Sequence, residues 1–131
     1  MQMVGKQLNR RLNVAATDAF KLAKLAAIIA DGVVLSLHSA DPGTTGASEI
    51  TGGSYARKTF AWSTPAMAGG LATATGATQQ MNVPAGVAIT HYGIRTTGGT
   101  FLYGKALVPG ATLNANGVID VTPTHTYGDP V

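Results

Sequence analysis

A chain of 131 residues with 45% hydrophobic content, no cysteine and 11% charged residues reads as one compact, charge-poor domain, with neither a disulfide framework nor a thiolate zinc site. Gly (17), Thr (17) and Ala (21) fill 55 of the 131 positions, against 8 for Phe, Trp and Tyr together, a balance that suits β-structure tiled into an assembly better than an enzyme pocket. The net charge of +3 is concentrated at one end: residues 1–24 carry five cations against Asp18, a net +4, and residues 25–131 come to −1.

Those five cations, Lys6, Arg10, Arg11, Lys21 and Lys24, are candidate docking residues for an acidic partner surface, or else a solvated helix face. A secretory signal does not fit, because Lys21 and Lys24 leave Leu25–Ala30 as the only unbroken apolar run, shorter than the ~7–15 residues such a signal needs. No run approaches the ~18–20 residues of a membrane span, so the chain is expected to be soluble and made in the cytoplasm.

From about Val14 to Ala30 the pattern is helical: Leu22, Leu25, Ala26 and Ile29 recur at spacings of three and four without Gly or Pro. Asn13 or Thr17 offers an N-cap oxygen, and Gly32 is placed for a left-handed C-terminal residue. After Gly32 the period becomes two. Val33, Leu35 and Leu37 share one face of a strand and Val34, Ser36 and His38 the other. Ser39–Ser54, with Asp-Pro-Gly, Gly46 and Gly52-Gly53, is a long loop, and loops beyond ~12–15 residues are usually functional or lie against a partner.

Strand patterns follow at Tyr55–Trp62, Leu71–Thr75, Thr78–Val83, Ala88–Arg95, Thr100–Leu107, Val118–Thr122 and Thr124–Tyr127, separated by Gly- and Pro-containing breaks that include Pro109-Gly110 and Asn116-Gly117. The last of these is a type I′ hairpin signal. Short strands spaced near ten residues apart predict a mainly β fold, an antiparallel β-sandwich of jelly-roll-like kind preceded by an N-terminal α-helix. The expected organisation is a basic arm and helix over residues 1–31 and one compact β-sandwich unit over 32–131.

Chemistry is scarce. Gly99–Ala106 has the Gly-x4-Gly-Lys spacing of a phosphate-binding loop, but Ala106 replaces the magnesium-binding hydroxyl, Phe101-Leu102-Tyr103 suit a strand, and Pro109-Gly110 prevents a following helix. His38, His91 and His125 form no sequence-local metal motif, and no acid adjoins the last two. No catalytic residue, metal ligand or cofactor is expected, and neither Gly-x-Ser-x-Gly nor His-Glu-x-x-His occurs. Tyr55, Arg57, Lys58, Phe60 and Trp62 alternate without giving either strand face a basic–aromatic stack, so nucleic acid is not an expected partner. Trp62, Tyr92 and Tyr103 are the stacking platforms a sugar-binding module would use.

Three stretches in order carry a resemblance: Leu35-Ser-Leu-His-Ser-Ala-Asp-Pro-Gly43 with Gly46-Ala-Ser-Glu49; Gly52-Gly-Ser-Tyr-Ala-Arg-Lys58; and Ile89-Thr-His-Tyr-Gly-Ile94 with Gly98-Gly-Thr-Phe-Leu-Tyr-Gly-Lys-Ala-Leu107. Over residues 33–108 the chain resembles a family of small tailed-bacteriophage virion proteins, commonly labelled tail fibre or minor tail proteins. The resemblance implies a non-enzymatic structural role on the virion. Its expected partners are other virion proteins, of the tail or the major capsid protein, and further copies of the chain, a trimer being one arrangement, with no membrane partner. A capsid decoration (cement) protein anchored by the basic end is the alternative placement. Within the long loop, Asp41-Pro42-Gly43 predicts a rigid turn with positive φ at Gly43. His38, Asp41, Glu49 and Arg57 are candidate loop-stabilising residues, with Arg57 bonding Asp41 or Glu49.

Overall fold

A computed structural model describes residues 15–129. Helix α1 runs from Asp18 to Asp31, and of the two expected caps Thr17 is the one used: its hydroxyl accepts from the Phe20 amide at 3.1 Å. Asp18 in the first turn complements the helix dipole. Lys21, Leu25 and Ile29 form the buried face, and full burial of an aliphatic side chain such as Leu25 contributes about 1.5–3 kcal/mol. Gly32 departs from expectation. Its φ of −98° and ψ of 95° are extended, not left-handed; glycine is needed there because a Cβ would lie 2.5 Å from Ile94 Cγ2.

Among the described residues nine strands follow, and the protein is mainly β with antiparallel sheets. They are β1 (Val34–His38), β2 (Lys58–Thr59), β3 (Ala66–Ala68), β4 (Leu71–Thr75), β5 (Gln79–Val83), β6 (Ala88–Arg95), β7 (Phe101–Thr112), β8 (Gly117–Val121) and β9 (Thr124–Tyr127). Their sheets have orders β2-β1-β6-β7, β3-β4-β9 and β5-β8. Leu35 opposes Ile94 and Leu37 opposes Tyr92, and this face of the four-stranded sheet packs with Met81 and Val83 of β5 and Val121 of β8 into the main core. A second cluster joins Leu25 and Ile29 of α1 to Ala72 and Ala74 of β4. The helix thus packs on the sheet of its own chain. Trp62 touches both clusters.

Several local expectations change. The predicted strand Tyr55–Trp62 contracts to Lys58–Thr59 plus a bridge from Trp62 to Gly76, because Arg57 is drawn to the long loop and only two residues reach β1. β7 continues through Pro109-Gly110. It is an edge strand, where a missing N–H is tolerated, and those residues fall where its register with β6 shifts between Ile89 and His91. Asn116-Gly117 makes no hairpin, since β8 pairs with β5 rather than β7; the Asn116 side chain instead accepts from the Ala85 amide at 2.9 Å. All five residues of β1 are buried, so its expected outer face is covered as well.

Candidate functional site

What covers that outer face is the long loop, and the network holding it is the most elaborate polar assembly among the described residues. Ser36 and His38 of β1 and Arg95 of β6 all lie within it, the first two wholly buried and Arg95 7% exposed. Arg95 Nε donates to Ser36 Oγ at 3.2 Å, its Nη1 to the Gly99 carbonyl at 3.1 Å and its Nη2 to Glu49 Oε1 at 3.1 Å. Glu49 is also gripped from outside by Arg57, whose Nε and Nη2 bond its two oxygens at 2.9 and 2.8 Å. The Tyr55 hydroxyl donates to Glu49 Oε2 at 2.8 Å while accepting from the Leu37 amide at 3.0 Å.

Electrostatics follow from these contacts. The Arg57 hydrogen bonds, helped by Tyr55 and Arg95, hold the Glu49 carboxyl below its ordinary value against the opposing effect of burial. Burial, with the Glu49 carboxylate beside it, pushes the Tyr55 phenol up, so it stays a neutral donor. His38 lies between the Ser36 hydroxyl at 2.9 Å and the Ala47 carbonyl at 2.8 Å, and burial lowers its pKa.

The loop itself is folded tightly. Asp41 Oδ1 accepts from the Gly43 amide at 2.9 Å and Gly43 has φ 58°, while the Pro42 carbonyl accepts from Gly46 and Ala47. Two cross-strand partners, Gly93 and Gly104, leave room for it. A Cβ on Gly104 would overlap Pro42 Cγ, and one on Gly93 would lie 2.6 Å from His38 Nε2. The structure therefore brings His38, Glu49 and Arg57 together, whereas Asp41 acts within its own turn. Sequence reasoning missed Ser36, Tyr55 and Arg95. For Ser36 the signal was the polar alternation Ser36–His38 on an otherwise aliphatic strand.

The basic candidates fare differently. Lys6, Arg10 and Arg11 lie outside the described residues. Lys21 is not offered to a partner: it is 6% exposed, and its ammonium meets Asp129 at 2.7 Å and the Gly70 carbonyl at 2.9 Å, because the helix turns that face onto the β3-β4-β9 sheet. Lys24 is exposed and sits 5.3 Å above the Phe20 ring.

Elsewhere a shallow hollow of about 250 Å³ is lined by Tyr103, Gly104, Lys105, His125 and Thr126. Lys105 Nζ is bonded to Thr124 and the Tyr103 hydroxyl to His125 Nδ1, with no carboxylate on the walls. Gly99–Ala106 is largely β7 rather than a phosphate-cradling loop. Among the described residues no cluster of His, Cys, Asp or Glu has metal-binding geometry, and no helix is long and apolar enough to cross a membrane. Of the aromatic platforms, Tyr92 is 4% exposed, and Trp62 packs edge-on to Phe60 with its indole N–H on the Gly32 carbonyl.

The best-organised polar groups of this β-scaffold hold a surface loop. Residues 7–126 match the family Podophage GP4 fiber I protein gp80, and the chain belongs to this family of podophage fibre proteins. No curated protein and no solved structure matches it.

Proposed function

We propose that the protein is a non-enzymatic structural component of a tailed-phage virion, of tail-fibre or minor-tail type, which assembles as an oligomer and presents the Ser39–Ser54 loop to the host or to neighbouring tail proteins. The observation that carries this reading is the family match over residues 7–126. The anchored loop supports it, since a loop held by Glu49, Arg57, Tyr55, His38 and Arg95 enters a contact already shaped and loses little conformational entropy on binding.

Capsid decoration drew on the five N-terminal cations, and with Lys21 committed inside the fold that argument is weaker. A sugar-binding role drew on three aromatics, two of which are packed within the protein.

Densitometry of purified virions against the major capsid protein tests the placement. A fibre component is expected at a few to some dozens of copies per particle; stoichiometry approaching that of the capsid protein would overturn it in favour of decoration. Light scattering of the purified chain tests assembly, with a concentration-independent monomer counting against it.

A further inference from the structure

With 12 residues β7 is the longest strand among the described residues, and it ends its sheet. Apart from β6, no element among the described residues makes a backbone bond to it. Such an edge is a template for a further strand unless a bulge, a proline or a projecting lysine guards it. Register shifts guard its two ends, at Leu102 and between Ala106 and Ala111, the second including Pro109. Between them Tyr103–Ala106 pairs regularly with His91–Ile94, and its lysine does not project. Lys105 Nζ turns back to the Thr124 carbonyl and hydroxyl at 3.2 and 3.0 Å. The neighbouring edge of β9 is closed at that point, because the Thr124 amide donates to the Tyr92 hydroxyl while its carbonyl is held by Lys105. The edge of β7 stays open.

The hollow of about 250 Å³ lies along this stretch, with Tyr103, Gly104 and Lys105 on the β7 side and His125 and Thr126 of β9 opposite. After its two bonds to Thr124, the Lys105 ammonium keeps one hydrogen to donate. It enters no ion pair among the described residues. An added strand is recognised through its backbone bonds and through pockets for its alternate side chains, and this pocket suits a carboxylate. Of the six acidic residues, Glu49 and Asp129 are already paired, Asp41 holds Gly43, and Asp18 and Asp31 belong to α1. Asp120 is left, on β8, and it has no ion-pair partner among the described residues.

β8 is itself an open edge. It ends the β5-β8 pair, and among the described residues β5 is the only element with backbone bonds to it. Ile119 and Val121 turn to the core, while Val118, 52% exposed, and Asp120 point outward. Resting on the oligomeric reading above, we propose that β8 of a second copy adds to the free edge of β7 and places its Asp120 in the hollow against Lys105. Val118, two residues from Asp120, then falls beside Tyr103 or Leu107 according to strand direction, and both are apolar residues at the rim of the main core. The two edges are different surfaces, so the contact runs head to tail and closes a ring when its rotation allows.

Light scattering over a dilution series of the full chain reads the subunit dissociation constant. Asp120→Lys and Lys105→Glu are each expected to weaken assembly at least about tenfold, because each sets like charges face to face. The double variant with both reversals is expected to recover wild-type assembly. A wild-type oligomer that neither single reversal weakens overturns this contact and leaves the oligomeric reading standing, whereas a wild-type monomer at every concentration overturns both. Weakened single variants without recovery in the double variant also overturn the contact, since the two charges then do not meet. The wild type supplies a reading that does not depend on any variant folding. Carbodiimide coupling of mixed isotope-labelled and unlabelled chains, followed by mass spectrometry, is expected to join Lys105 of one isotope to Asp120 of the other, and an assembled sample without that link overturns the proposal.

Discussion

Glu49 receives two guanidinium groups of unequal weight. Arg95 is buried and Arg57 has a side chain 41% exposed, so the outer pair is worth about 1 kcal/mol or less, whereas removing the carboxylate leaves a buried cation unpaired at a cost of about 2–4 kcal/mol. Urea unfolding at neutral pH should therefore show Glu49→Gln losing several times more stability than Arg57→Ala; equal losses would show that the outer pair, not the buried one, holds the loop. The sign with pH follows from the depressed carboxyl. Its stabilisation is complete above the ordinary value of 4.5 and disappears as pH falls through the lower folded value. His38 acts in the same direction from a higher starting point: with its folded value lowered, stability is complete above 6.5 and declines as pH falls below that.

At the level of elements, the facing glycines of β6 and β7 decide how close the loop can come. Gly104→Ala drives a methyl into Pro42 and is expected to cost about 1–3 kcal/mol, as overpacking does. Gly43→Ala is a useful contrast: its Cβ meets nothing within 4 Å, and only its φ of 58° is strained, at about 1–2 kcal/mol. Thermal denaturation with exchange mapping separates them. Gly104→Ala should loosen Pro42 and the loop around it, and a variant with an unchanged loop would show that β7 yields instead. The same contrast explains what the sequence made legible. β4, β6 and β9 have the predicted bounds, because the glycines and prolines that flank each of them are local signals. β2, the continuation of β7 and the false hairpin at Asn116 depend on which strand is neighbour to which, a long-range fact that local pattern does not contain. Glu49 was legible as one of two loop partners for Arg57, the other being Asp41. Arg95 was not, since it is 46 residues away from Glu49 and meets it only through the fold.

At the scale of the molecule, the described residues are organised around two apolar clusters joined at Trp62. Leu25 is fully buried against β4, and Leu25→Ala is expected to cost about 2–4 kcal/mol. Removal of residues 1–31 uncovers Ala72, Ala74 and the helix-facing side of Trp62 and Tyr127 together, so the shortened chain should lose cooperative unfolding and bind hydrophobic dye. A shortened chain with an intact near-ultraviolet spectrum would show that the helix is an appendage. Lys21 adds to the closure, spanning from the helix to Gly70 and Asp129.

Asp129 also accepts from the Ala16 amide at 3.2 Å, so the two ends of the described chain meet at one point. Tension applied across them would pull first on that clasp and then on α1 and β9, the elements next to the two ends. Under mechanical strain the protein would yield first at the helix end, leaving the loop and its anchoring sheet as the last part to be deformed.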